Sequence, residues 1–293
     1  MPQFSDSELI INPDGSIYHL NLRPEQIATT IITVGDPDRV EKVSQHFDRI
    51  DEKVAKREFV THTGELNGKR ISVISTGIGT DNIDIVLNEL DALHNIDFQS
   101  REVKAQFTPL DIFRIGTTGG LQEHIPVDSL LLSSYGLGLD GLMHYYLLNH
   151  NANEYLLHYE FMDQCGRELN LPIRPYLVEG SEELRKQMGD GWLEGITVTC
   201  PGFYAPQGRR LRGEPALDNL LEVLAQFEFN KMRITNFEME TAGTYGLARL
   251  LGHRALSCNV ILANRPRKQF SSDPKGAVER LIQKTLEGIS LIK

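Results

Sequence analysis

The sequence is short of cysteine, of long apolar runs and of excess positive charge, and each shortage excludes something. Its three cysteines, Cys165, Cys200 and Cys258, are odd in number and far apart. No Cys-x-x-Cys pair occurs, so neither a zinc cage nor a disulfide framework is expected, and a reducing compartment fits better. No stretch approaches the roughly 18 apolar residues that a membrane span needs. Residues 1–15 are polar and lack the apolar core of a secretory signal, so a soluble cytoplasmic protein with no membrane partner is expected. Lys and Arg number 30 against 40 Asp and Glu, a net charge of −10. No global positive field draws such a chain to a phosphate backbone, so no nucleic-acid partner is expected. A small anionic ligand then requires a local basic pocket. No repeat, low-complexity tract or linker interrupts the 293 residues, and 40% hydrophobic with 24% charged residues suits a large buried core. One domain, 1–293, is expected, with 1–28 as an irregular arm.

What is there reads as strands alternating with helices. The β-branched run 29–34 predicts a buried strand. Gly35 ends it, Asp36 can cap a helix, and Pro37 suits the first helical position. Asn67-Gly68 joins two extended runs as a hairpin. Asp81 opens an amphipathic helix with Ile83, Val86, Leu87, Leu90 and Leu93 on one face. Residues 95–109 read as a polar surface insertion, and 180–195 as a charged, glycine-interrupted excursion. Residues 150–170 and 241–251 read as helical, and 281–289 as a closing helix. The pattern predicts an α/β fold with a mainly parallel or mixed sheet and helices on both faces.

Ligands of such sheets sit beyond the strand carboxyl ends, so the residues after each apolar run matter most. At Gly35-Asp36-Pro37-Asp38-Arg39, free backbone N–H groups meet the positive end of a helix. Alone, that segment is better explained as a capped turn with a surface arginine. At 113–120, Arg114 interrupts a buried strand just before a Gly/Thr turn. A buried guanidinium demands an anion: either a carboxylate of the chain or a phosphate, and Thr117 with the glycine amides favours phosphate. At 236–241, Glu238 and Glu240 flank Met239 at a helix entry. They face different ways if the entry is extended, one binding hydroxyls and the other structural; alone, two acids favouring the helix dipole explain them better. Gly136-x-Gly138-x-x-Gly141 has dinucleotide-fingerprint spacing but sits mid-chain, and Glu154 and Glu160 lie inside a helical pattern, so no nicotinamide site is expected. No nucleophile elbow or His-Glu-x-x-His occurs, the histidines show no ligand spacing, and Cys200 reads as a buried structural thiol.

Seven segments occur in one order: 35–43 (GDPDRVEKV), 57–59 (REF), 75–80 (STGIGT), 113–121 (FRIGTTGGL), 203–209 (FYAPQGR), 237–241 (FEMET) and 263–265 (ANR). Together, across 17–265, they resemble the nucleoside phosphorylase-I family. The resemblance implies an α/β/α sandwich around a mixed sheet and a homo-oligomer, dimer or hexamer, with its active site shared across a dimer to which the N-terminal arm contributes. It implies phosphate binding by Gly35, Arg39, Arg114 and Thr117, with Arg57 supplied by the neighbouring subunit. It places the nucleoside against Thr117, Gly119, Glu238, Met239 and Glu240, with His19 reaching across the dimer to the ribose 5′-hydroxyl. Phe203, Gln207 and Arg209 match a pyrimidine-reading loop, with Arg265 nearby. Some bacterial relatives hold a monovalent cation near the counterparts of Glu58 and Ile78; Asn82 stands where they have Ser, which leaves that ion open, and no other metal is implied.

The activity implied is reversible phosphorolysis of uridine, with deoxyuridine and thymidine also open, to uracil and (deoxy)ribose 1-phosphate in pyrimidine salvage. Inorganic phosphate is a co-substrate and no cofactor is implied. The chemistry falls to Arg114, Gln207, Arg209 and Glu240. Phosphate itself attacks an oxocarbenium-like anomeric carbon, so no protein nucleophile is needed. Gln207 can bond a carbonyl and N3–H of uracil, and Arg209 can stabilise charge growing on the leaving base. Purine-cleaving relatives carry an Asp after the last strand, whereas Asn264-Arg265 stand here. Ala205-Pro206 replace a usual Pro-Gly, which leaves the loop geometry and sugar preference open. The alternatives are a purine phosphorylase or nucleosidase of the same family, and a noncatalytic nucleoside-binding protein.

Overall fold

A computed structural model describes residues 3–292. The chain divides into two compact units. One comprises the chain up to Phe113 with Leu247–Arg254; the other comprises Arg114–Gly246 and the chain from Ala255 onward.

The first unit contains β1 (Thr30–Val34), α1 (Pro37–Ser44), β2 (Arg49–Lys56), β3 (Phe59–Leu66), β4 (Lys69–Ser75), α2 (Thr80–Asn95), β5 (Ile96–Asp97) and β6 (Glu102–Val103). Its sheet runs β1-β4-β3-β2, with β1 parallel to β4 and the other pairs antiparallel. The local chemistry is as expected. Asp36 Oδ1 accepts from the Asp38 N–H at 3.0 Å, and Pro37 begins α1. Asn67 and Gly68 both take positive φ, the two-residue turn that matches strand twist. Ile83, Val86, Leu87, Leu90 and Leu93 are all buried along α2. Two features depart from the sequence reading: β2, a charge-rich strand of alternating exposure, and the small β5–β6 hairpin inside the polar 95–109 segment. The arm is anchored by fully buried Leu20 and Leu22, and Glu89 of α2 accepts the His19 and Leu20 N–H groups.

The second unit continues with β7 (Asp111–Gly120) and β8 (Leu130–Gly138). Then come α3 (Ala152–Phe161), a π-turn at Met162–Gly166 and α4 (Arg167–Leu169). β9 (Tyr176–Glu179), α5 (Glu182–Gln187), β10 (Leu193–Thr199) and α6 (Leu220–Gln226) follow. β11 (Glu228–Phe229), β12 (Met232–Glu238), α7 (Thr241–Leu250), β13 (Arg254–Asn264), β14 (Gln269–Phe270) and α8 (Pro274–Leu291) complete it. The strands run β11-β12-β10-β8-β13-β7. β10 is parallel to β8 and β12, while β13 is antiparallel to β8, so this sheet too is mixed. The end of β7 also pairs with β12, setting Gly119 opposite Phe237 and Gly120 opposite Asn236. Five strands, β7, β13, β8, β10 and β12, thereby form a closed circuit. Leu137, Leu157, Phe161, Val198, Leu224 and Phe237 belong to one buried apolar cluster that covers part of it. The excursion at 180–195 holds α5, and the closing helix starts earlier than expected because Asp273 caps it, accepting from the Gly276 N–H, and Pro274 takes the first helical position.

Candidate functional site

Arg114 leaves β7 buried, with 7% of its surface exposed. Its neighbour Gly116 permits this: a Cβ there would lie 2.0 Å from Arg114 Nη1 and 2.8 Å from Asn259 Oδ1. Arg114 Nη2 reaches Glu238 Oε2 at 2.9 Å and also bonds Glu240 Oε2. Nη1 donates to Asn259 Oδ1 at 2.9 Å and, more weakly, to Ser257 Oγ at 3.4 Å. Burial by itself lowers the arginine's pKa, but Glu238 and then Glu240 outweigh it, and the net direction is upward. The anion that the buried guanidinium demands is therefore supplied by the chain. Of the two alternatives the sequence left open, this structure contains the internal ion pair.

Glu238 and Glu240 enter α7 on an extended segment, yet both reach the same guanidinium. The expected divergence lies in their other partners. Glu238 Oε1 accepts from Thr199 Oγ1 at 2.7 Å, and its carboxylate also takes the Glu240 and Thr241 N–H groups at 2.8–3.1 Å. It thus answers the free amides and positive end of α7. Met239 between them is half-buried, as is Thr117 on β7. Gly119 must be glycine because a Cβ would stand 2.8 Å from the Phe237 ring.

The loop after β10 carries the second cationic group. Ala205–Gln207 form a single 3-10 turn, and Gly208 closes it at positive φ. A Cβ at Gly208 would strike Leu221 at 2.7 Å. Gln207 is buried and its Oε1 accepts from Arg209 Nη1 at 2.6 Å. Arg209 Nη1 also donates to the Phe203 carbonyl, and its guanidinium stacks 3.7 Å from the centre of the half-exposed Phe203 ring. Arg265 donates to the carbonyls of Gln207 and Gly208 and lies over Phe237 at 5.6 Å. Burial, and secondly Arg265, hold the Arg209 pKa down at about 10; burial lowers Arg265 as well. Asn264, at the end of β13, is fully buried. Its amide donates to the Gln122 and Ile125 carbonyls and its oxygen accepts from the Arg267 N–H.

Gly35 follows β1, half-buried Arg39 lies in the first turn of α1, and Thr76–Gly79 follow β4, the strand parallel to β1. Gly77 and Gly79 take positive φ, and Ile78 between them is 65% exposed. The Gly77 backbone is tightly flanked by the side chains of Asn82 and Glu58. Exposed Arg57 turns the chain between β2 and β3 at φ 55°. His19 Nδ1 meets Glu89 Oε1 at 2.6 Å within its own chain.

Other sequence readings resolve clearly. Gly136 and Gly138 belong to β8, where Cβ atoms would collide with Ala242 and the Tyr176 ring, so these glycines serve close packing. Glu154 caps α3 with Asn151 and accepts the Glu179 N–H. Cys200 is buried, and burial pushes its thiol far above the usual range, which leaves no nucleophile there. Sequence reasoning passed over Asn259 and Glu89. The available signal for Asn259 was an amide inside the apolar run of β13, the same kind of interruption that singled out Arg114.

A family model described as the phosphorylase superfamily matches residues 29–290. A uridine phosphorylase of Thermococcus kodakarensis is 31% identical over 271 residues, covering 92% of this chain and 84% of that protein. One of Escherichia coli is 29% identical over 256 residues, covering 87% and 88%. A crystal structure of a Trypanosoma brucei nucleoside phosphorylase, described as showing uridine phosphorylase activity, superposes with a TM-score of 0.88 at 30% identity, covering 96% of this chain and 98% of that one. With the α/β elements, the two arginine groups and the acid pair already in place, the chain belongs to the phosphorylase superfamily as an enzyme of the nucleoside phosphorylase type.

Proposed function

We propose that this enzyme is a uridine phosphorylase: uridine and inorganic phosphate are converted reversibly to uracil and ribose 1-phosphate, without a cofactor. The observation that carries the choice of base is the loop in which Gln207, Arg209 and Arg265 meet with no carboxylate partner among the described residues, beside an Asn264 whose polar atoms are committed to backbone groups. A purine that must be protonated by an acid after the last strand finds none there. A uracil leaving as an anion finds a guanidinium.

Phosphate oxygen bonds to the anomeric carbon as the bond to uracil N1 breaks, and that electron pair leaves with the base. Arg209 stabilises the charge on a uracil oxygen and Gln207 fixes the ring edge. Arg114 exchanges part of its carboxylate pairing for phosphate, and Glu240, so released, takes the ribose hydroxyls. Glu238 keeps its backbone donors and holds the start of α7. Phosphate binding by Gly35, Arg39, Arg57, Arg114 and Thr117 belongs to the same proposal. So do nucleoside contacts by His19, Thr117, Gly119, Phe203, Met239 and Arg265, a single nucleoside phosphorylase domain, a homo-oligomer in which a second copy supplies His19 and Arg57, and a cytoplasmic location.

The test is release of free uracil from uridine with and without phosphate, run beside deoxyuridine, thymidine, inosine and adenosine. Phosphate-dependent uracil release with ribose 1-phosphate is expected. Cleavage indifferent to phosphate makes the protein a hydrolase, faster turnover of inosine makes it a purine enzyme, and tight uridine binding without turnover makes it a binding protein.

A further inference from the structure

Six buried side chains, supplied in turn by the strands of the closed circuit, form one hydrogen-bonded chain. Arg114 of β7 donates to Asn259 of β13, and Asn259 Nδ2 donates to Ser133 Oγ of β8 at 3.0 Å. Ser133 Oγ meets Thr197 Oγ1 of β10 at 2.5 Å, and Thr197 donates to Asn236 Oδ1 of β12 at 2.9 Å. Asn236 Nδ2 donates to Thr118 Oγ1 at 2.8 Å, returning to β7, and Thr118 donates to the Phe237 carbonyl at 2.7 Å. None of these residues is more than 7% exposed. Thr197 gives its proton to Asn236, so Ser133 must give its own to Thr197 and accept from Asn259. Every donor therefore points the same way round, from Arg114 to Phe237. Such a sequence fixes both amide orientations and polarises each bond toward the next.

We propose that Asn259 is a positioning residue for anion binding: its amide, oriented by Ser133, holds Arg114 Nη1 so that Nη2 alone faces the exchangeable partners. The guanidinium is planar and rigid, so fixing Nη1 fixes where Nη2 points. Glu238 and Glu240 both sit on Nη2, and none of the contacts on Nη1 is ionic. The division separates a neutral, permanent anchor from an ionic contact that an incoming anion can replace. Asn259 touches neither phosphate nor nucleoside in this account.

The inference rests on the proposed reading of Arg114 as a phosphate ligand. Two variants test it, Asn259→Leu, which removes the amide at similar volume, and Ser133→Ala, which leaves the Arg114 contact but removes the shorter of the two hydroxyl contacts, to Ser133 and Ser257, that orient the amide. Phosphate KM, uridine KM and kcat are measured for each, with phosphate affinity by calorimetry. Asn259→Leu is expected to raise phosphate KM about tenfold and Ser133→Ala about threefold, with uridine KM within about twofold of the parent. Equal changes in both KM values, or loss of kcat alone, overturn the assignment. If Asn259→Leu does not fold, Ser133→Ala decides: unchanged phosphate KM overturns the role. If the parent protein fails to cleave uridine, the proposed function falls, and calorimetric phosphate affinity of parent against variants still reads the positioning role.

Discussion

The two arginine groups of the second unit are in opposite electrostatic states. Arg114 is paired with two carboxylates and held above its ordinary pKa. Arg209 and Arg265 have only neutral acceptors, lie close enough to depress Arg209, and are in no ion pair among the described residues. A saturated cation can bind an anion only by exchange, and the exchange frees a carboxylate. An unsaturated one is a standing deficit that negative charge developing nearby will fill. The first arrangement suits a co-substrate that enters already charged; the second suits a leaving group that becomes charged.

The sharpest way to break the comparison is Arg114→Ala. It leaves two buried carboxylates without their cation, so unfolding stability should drop by about 3–5 kcal/mol in denaturant titration. Phosphorolysis should fall by a factor on the order of 10² or more, through phosphate use. An unchanged unfolding midpoint would show that the carboxylates do not need this arginine. Arg209→Ala should behave differently: uridine kcat falls about 10²-fold while thermal stability holds or rises slightly, since a partly buried like-charge contact is removed. A large stability loss there would make Arg209 structural.

Titration sharpens the same contrast. Arg209 has a folded pKa of about 10, below its ordinary value near 12.5. Above pH 10 the folded protein loses this proton while the unfolded chain keeps it, so this group's contribution to stability rises with pH up to the unfolded value. Its charge, however, disappears, so kcat for uridine should decline as pH passes about 10, and a pH–rate profile of Arg209→Lys should lose or move that limb. The smallest effect is expected for Phe203→Ala. Loss of the stacked face should cost uridine kcat/KM only severalfold, matching about 0.5–1 kcal/mol for an exposed cation–π contact.

Local elements were readable because local chemistry dictates them: the capped turn at 35–39, the Asn67-Gly68 hairpin and the apolar face of α2. The acid pair was readable as an extended helix entry, since β12 runs to Glu238, α7 starts at Thr241 and Glu238 takes the first free amides; that both acids meet one guanidinium was not. What answers Arg114 was not readable, since its carboxylates lie more than 120 positions away in sequence and no local pattern encodes that meeting. Asn259 escaped for a related reason. An isolated amide in a strand has meaning only once its neighbours on other strands are known. The loop after β10 was legible in residue type but not in shape, because the 3-10 turn depends on Gly208 fitting under Leu221.

The circuit of five strands also bears on how this unit comes apart. With β13 peeled away, Arg114 Nη1 would lose both its acceptors, Asn259 and Ser257; with β7 gone, Asn236 Nδ2 would lose the hydroxyl oxygen of Thr118. Each loss strands a polar group in a dry interior, so no single strand can leave cheaply. Amide protons of β7, β8, β10, β12 and β13 should therefore exchange with solvent deuterium together, at one common opening free energy, while those of the exposed β5–β6 hairpin exchange far earlier.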